Sequence, residues 1–174
     1  MKAPSLADTD WSTVDSYIAS MERPAHYSLL VMLIRKLGLR PIELARIESS
    51  WIVGDELRIP HGKSKRKRPR TLPLNAALLE AFSAHLEGRR GVVFLNRQGQ
   101  PFTPGLMSES VRRLLRLSVG YGSAYSGRRA ASQRMLDRGE NILTIQAFLG
   151  HSSPLTTLAY VGVSDQELRR AVFA

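Results

Sequence analysis

The 174-residue sequence contains no cysteine, which excludes a disulfide framework and any thiolate metal site. No apolar run approaches the length needed to span a bilayer, so no membrane partner is expected. The segment Met1–Asp10 lacks the apolar stretch of a secretory leader. There is no phosphate-cradling glycine-rich loop ending in Lys-Ser or Lys-Thr, and no carboxylate cluster suited to magnesium. Internal repeats and low-complexity linkers are also missing. These absences leave the expectation of one soluble, intracellular domain, large enough to bury a single core.

What the sequence does have is positive charge. Twenty-five Lys and Arg against 15 Asp and Glu give a formal net charge of +10, and the sequence pI is near 10.6. Such a balance points to a polyanionic partner, through phosphate neutralisation and counterion release. The alternative at this level is a basic, soluble protein with no nucleic-acid role. Hydrophobic residues make up 43% of the chain, which argues against disorder.

Most of the chain reads as short helices with recognisable ends. Asp10 precedes an amphipathic stretch in which Trp11, Val14, Ile18 and Met21 share a face. An apolar helix over roughly residues 25–37 stops at Gly38, and Pro41 suits the first position of the next helix. Asn75 is placed to cap a helix whose inner face is Leu78, Leu79, Phe82 and Leu86; Thr103-Pro104 opens another that runs to about Val119. Ser126 is read as the N-cap of a helix ending near Arg138, and Asn141 as the cap of one ended by Gly150. Between these helices the period changes to that of strands. Residues 51–53 and 57–59 around Gly54-Asp55 form a hairpin, and residues 71–74 a third strand. The fold expected is mainly α with a small three-stranded antiparallel β-sheet.

Three features suggest a site. Lys63, Lys65, Arg66, Lys67, Arg68 and Arg70 put six cations into eight positions of the turn between the second and third strands. A run of this kind is usually a solvated loop or a localisation signal, but flanking strands could hold it against a phosphate backbone. Arg40 precedes Pro41 and so sits at a helix N-cap, outside the α region. Arg128 and Arg129 fall in the first turn of the helix begun by Ser126. Cations there oppose the helix dipole, whereas an anion bound by the free N–H groups and an arginine is favoured. His151 follows a helix stop and Tyr160 lies near the end of a short helix opened by Ser153-Pro154. Alone, each reads as structural.

Taken in order, these segments resemble the tyrosine recombinases of the phage integrase family, over about residues 29–172. Gly38-Leu39-Arg40-Pro41-Ile42-Glu43-Leu44 looks like the box of the first catalytic arginine, which assigns that role to Arg40 and its positioning acid to Glu43. Counting back from Pro73-Leu74 puts the catalytic lysine at Lys65, with Lys63 the second choice. Ser126-Gly127-Arg128-Arg129 is similar to the second-arginine box, with Arg128 the match. Leu149-Gly150-His151 through Thr156-Thr157 to Tyr160 reproduces the most specific segment, making His151 a phosphate contact and Tyr160 the nucleophile. The family's usual histidine three residues before the second arginine is replaced by Tyr125, a poor general base at neutral pH. The family's usual N-terminal clamp domain finds no room in this chain. Residues 1–174 are therefore expected to be one catalytic domain, either isolated or of a compact clamp-free type, with residues 1–10 as a flexible start.

The resemblance implies cleavage and rejoining of double-stranded DNA through a 3′-phosphotyrosyl bond, with no cofactor. Lys63, Arg66, Lys67, Arg68, Arg70 and Arg129 would contact DNA. A homo-oligomer on DNA, an accessory DNA-binding protein, and a cytoplasmic, nucleoid-associated setting in a prokaryote, phage or mobile element follow from the same resemblance. A helix over about residues 164–174, begun by the capping box Ser164-Asp165-Gln166-Glu167, would either dock on a neighbouring protomer or pack on its own domain. A type IB topoisomerase, a non-catalytic DNA-binding regulator on the same fold, and a helix-turn-helix repressor are the rival readings; the last does not explain the order of the boxes.

Overall fold

The computed structural model describes residues 4–60, 69–151 and 156–157. Lys63, Lys65, Arg66, Lys67, Arg68, Tyr160 and the capping box at Ser164 lie outside them. Seven helices are described: α1 Asp8–Ala19, α2 Pro24–Leu37, α3 Pro41–Arg46, α4 Ala76–Leu86, α5 Pro104–Val119, α6 Ser126–Asp137 and α7 Ile142–Leu149. The strands are β1 Ile52–Val53, β2 Glu56–Ile59 and β3 Arg70–Pro73, an antiparallel sheet in the order β1-β2-β3. Leu57 pairs with Ile52 on one side and Leu72 on the other, so both flanking strands share one register across the sheet. None of the described helices is long and apolar enough to cross a membrane.

Helix α2 is the axis of the molecule. Leu29, Leu30, Val31, Leu33, Ile34 and Leu37 are all buried, an apolar girth wider than one stripe, as expected of a helix with neighbours on several sides. It packs against α1, α4 and α6, while α5 closes the far side against α1 and α3. Trp11, Val14 and Ile18 of α1 enter the same core as Leu44, Leu57, Leu72 and Phe82. Gly38 ends α2 in the left-handed conformation, at φ +59°, which glycine adopts without steric cost. The chain then turns at once into Arg40 and α3.

Local caps account for most of the boundaries. Asn75 accepts from the Leu78 N–H at 3.0 Å, Thr103 from Leu106 at 3.2 Å and Asn141 from Leu143 at 2.8 Å, each satisfying a donor left over by the helix. Three expectations need correction. Helix α1 begins at Asp8, and Asp10 lies inside its first turn, where its carboxylate accepts from the Ala7 N–H at 2.7 Å. Trp51 belongs to a 3-10 turn over Ser49–Trp51 instead of β1. Tyr125, not Ser126, precedes α6: the Ser126 hydroxyl accepts from the Ser123 N–H at 2.9 Å and closes the preceding turn. The segment after α4 adds long-range pairing that local periodicity does not encode: Glu48 bridges Val92, and Val93 and Phe94 are buried.

The approach of α6 to α2 depends on Gly127. A Cβ built there would lie 2.2 Å from the Ile34 Cγ2 and 3.1 Å from the Ile34 carbonyl carbon, so only glycine fits. We predict that Gly127→Ala destabilises the protein by about 1–3 kcal/mol, the usual cost of overpacking, measurable by denaturant unfolding; a neutral effect would mean that the two helices separate freely.

His26 supplies a second prediction. It is buried among Tyr27, His85 and Phe94. Burial, then the nearby Arg23, push its pKa from 6.5 down to about 3. The folded state therefore holds His26 neutral while the unfolded chain protonates it. The stability this contributes is complete above pH 6.5 and is lost as pH falls from 6.5 toward 3. The melting temperature should fall across that window, and His26→Phe should flatten the fall. An identical pH profile in the variant would remove His26 as its source.

Candidate active site

The site is assembled where α7 ends. Helix α7 stops at Gly150, in the left-handed conformation at φ +60°, and the His151 N–H returns to the Gln146 carbonyl at 3.0 Å. The Gln146 side-chain amide donates to the His151 carbonyl, also at 3.0 Å. One glutamine thus fixes the His151 backbone from both sides. The terminal carbonyls of α7 carry the negative end of the helix dipole and have no partner within the helix.

Three arginines supply those partners. Arg40, at the N-cap of α3, donates from Nη2 to the Gly150 carbonyl at 3.2 Å. Arg70, the first residue of β3, donates from Nη1 to the Leu149 carbonyl. Arg128, in the first turn of α6, donates from Nη2 to the same Leu149 carbonyl and from Nη1 to the Gly38 carbonyl at the end of α2. Arg128 is 0% exposed, so the Gly127 contact that lets α6 approach α2 also sets where this cation lies. The structure therefore brings Arg40 and Arg128 together, although 88 positions separate them by their numbers in the sequence.

Glu43 organises two of the three. Its Oε2 accepts from the Arg40 backbone N–H at 2.6 Å and from Arg70 Nη2 at 3.1 Å, while Oε1 pairs with Arg40 Nη1 at 3.1 Å. Its position in the first turn of α3 also complements that helix's dipole. Arg70 is expected among the turn cations, yet its side chain is only 6% exposed and is paired with Glu43. Burial pushes its pKa down, and Glu43 beside it acts in the opposite sense.

His151 completes the cluster. Its Nε2 lies 3.0 Å from Arg128 Nη2, and its Nδ1 lies 2.9 Å from the Thr157 hydroxyl. A guanidinium can only donate, so Nε2 accepts, and the neutral ring carries its proton on Nδ1, directed at Thr157. Burial, then the charges of Arg128, Arg40 and Arg70, lower its pKa from 6.5 to about 3. Arg70, Gly150 and His151 also line an open groove of about 620 Å³ between β3 and α7, together with Phe148 and Leu143. Of the cluster, Arg70 and His151 reach this groove.

The supporting roles of Gln146 and Thr157 arise from the fold of the α7 end; of the two, only Thr157 carried a signal, as part of the Thr156-Thr157 element of the motif. Arg70 did carry a signal: strand alternation places it on the same face as the buried Leu72. Tyr125 stands at the entrance to α6, 42% exposed, and Arg129 is on the same first turn as Arg128.

This geometry coincides with a family match. The phage integrase family profile covers residues 10–167. The chain belongs to the phage integrase family. Among its relatives, the tyrosine recombinase XerC of Caldanaerobacter subterraneus subsp. tengcongensis is 31% identical over 154 residues, covering 82% of this chain and 43% of the relative. The XerC of Chlamydia caviae is 31% identical over 145 residues, covering 78% and 46%. This phage integrase family chain thus spans less than half the length of these two relatives. Its fold is similar to that of a crystal structure of XerA recombinase, with a TM-score of 0.81 at 18% identity, covering 97% of this chain and 64% of that one. A Tn1549 transposon integrase solved with transposon right-end DNA gives a TM-score of 0.76 at 18% identity, over 97% and 64% of the two chains.

The His151 assignment is open to direct measurement. Ring-nitrogen NMR of histidine-labelled protein should show His151 neutral with the proton on Nδ1 at pH 5, a pH at which an unperturbed imidazole is already mostly charged. A doubly protonated ring at that pH would overturn the hydrogen-bond scheme around Arg128.

Proposed function

We propose that these residues form the catalytic unit of a site-specific recombinase that cleaves and rejoins double-stranded DNA through a phosphotyrosyl bond to Tyr160. The observation that carries this reading is the convergence of Arg40, Arg128 and neutral His151 at one helix end, in a chain of the phage integrase family. A phosphodiester carries one negative charge, and its transfer requires an in-line nucleophile, charge stabilisation and a proton for the leaving oxygen.

In this mechanism the Tyr160 hydroxyl oxygen attacks phosphorus as its proton passes to water, the P–O5′ bond breaks, and a 3′-phosphotyrosine forms. Lys65, or Lys63 in its place, gives the proton to the departing 5′ oxygen. Arg40 and Arg128 turn N–H groups toward the non-bridging oxygens. The arriving anion offsets the guanidinium charges that, together with the larger effect of burial, keep His151 neutral, which favours a proton on Nε2 and a hydrogen bond to the phosphate. A 5′-hydroxyl of a partner strand then attacks the phosphotyrosine and frees Tyr160. One phosphodiester replaces another, so the exchange consumes no nucleotide and needs no cofactor. Arg66, Lys67, Arg68 and Arg129 hold the DNA backbone, and pairing of two sites brings further copies of the chain, with or without an accessory DNA-binding protein.

The exposed phenol of Tyr125 in place of histidine favours one second reading, a catalytically weak DNA-binding regulator on the same fold. The two separate on a pool of nicked, random-sequence duplexes in which cleavage releases a short strand and traps the adduct. The wild-type protein should form a detergent-resistant complex, and Tyr160→Phe should lose it while binding DNA as before. Arg40→Lys and Arg128→Lys should each slow adduct formation by about 10²–10³-fold, since lysine keeps the charge without the planar fork. A wild-type protein that binds the pool without any adduct is a regulator, and an adduct persisting in Tyr160→Phe names the wrong nucleophile.

A further inference from the structure

The carboxylate of Glu43 raises an electrostatic difficulty that the recombinase reading does not resolve. Glu43 is needed locally: it accepts the Arg40 N–H at 2.6 Å and orients the Arg40 guanidinium at 3.1 Å. The same carboxylate, 10% exposed, stands beside the cation meant to attract a phosphate. Alone with Arg40 it would form a neutral pair and would also repel the incoming anion at close range. Arg70 is arranged against that outcome. Its Nη2 takes the Oε2 atom of Glu43 at 3.1 Å, on the side away from the Oε1–Arg40 pair. The remainder of its guanidinium is latched on the Leu149 carbonyl and lies against Gly150, where a Cβ would come within 2.6 Å of Nη1.

Resting on the reading of this cluster as a phosphate site, we propose that Arg70 is a positioning residue that counterbalances Glu43, so that Arg40 is held in geometry by a carboxylate without being neutralised by it. Two features set this apart from an ordinary buried ion pair. Glu43 has separate oxygens for the two guanidiniums, so Arg70 does not displace Arg40 from its support. Arg70 also begins β3, immediately after Pro69, so the start of this strand is fastened to the arginine cluster by this side chain.

A charge-balancing role predicts an unusual dependence between two substitutions. Arg70→Gln should weaken binding of inorganic phosphate, followed through the His151 ring resonances, by about ten- to a hundredfold, as expected for unmasking one carboxylate near an anion. Adding Glu43→Gln removes the charge that Arg70 balances, so the double variant should recover to within about threefold of wild type. A purely structural Arg70 gives the opposite result, in which the double variant binds as poorly as the single one or worse. Arg70→Lys, which keeps the charge and leaves the fold least disturbed, should stay close to wild type, and thermal melting of all three reports whether folding is retained. Additive losses, or a defect in Arg70→Lys as large as in Arg70→Gln, would overturn the proposal. So would wild-type His151 resonances indifferent to phosphate, since the cluster would then not be an anion site. These outcomes are independent of covalent chemistry: phosphate binding with no Tyr160 adduct rejects the recombinase mechanism and leaves the role of Arg70 standing on its own test.

Discussion

Helix α7 ends with two carbonyls, Leu149 and Gly150, that receive guanidinium groups from α3, β3 and α6, and the geometry of the whole site follows from that meeting. Terminal carbonyls are unpaired by the rules of helix hydrogen bonding and carry the dipole's negative end. They can therefore gather cations without contributing a full negative charge. A carboxylate in the same place would hold the arginines equally well and would repel any anion approaching the cluster. Partial charge suffices for assembly and leaves the described cluster cationic.

Burying cations in this way is unfavourable unless each finds good hydrogen-bond acceptors. Arg128 meets the condition with the ends of two helices, Gly38 of α2 and Leu149 of α7. Those ends come together only because α6 lies close on α2 at Gly127, and because Gly38 and Gly150 terminate their helices in the left-handed conformation. Three glycines thus place one arginine. The core makes the same point from the other side: α2 is apolar around most of its girth, so its C-terminal end is held rigidly enough to serve as an anchor for a buried charge.

What could be read from sequence was what is determined locally. Gly38, Asn75, Thr103-Pro104, Asn141 and Gly150 mark helix ends by their own backbone preferences and side-chain oxygens, and the helices end where they say. Ser126 misled because a serine hydroxyl serves a turn as well as a helix, and here it accepts from Ser123. Arg40, Glu43, Arg128 and His151 were recognisable by motif, but their mutual arrangement was not, since nothing local says that α3 and α6 aim at the end of α7. Arg70 lies between these cases. Its inward direction was legible from alternation with Leu72, whereas its partners, Glu43 and Leu149, lie 27 and 79 positions away.

The proton on His151 shows how such an arrangement prepares for an anion. Burial, then the three guanidiniums around the ring, make its charged form unfavourable, and Arg128 occupies Nε2 as a donor while Thr157 receives the Nδ1 proton. A phosphate entering this environment would shift the balance toward the charged form, because it offsets the guanidinium charges that add to the effect of burial. The ring can then take a proton at Nε2 and become a donor, with Nδ1 still anchored on Thr157. Binding an anion and protonating the histidine are therefore linked, each favouring the other by the same free energy. His151 is coupled to the cluster through Arg128, whose Nη2 stands against the very ring nitrogen that would take the proton.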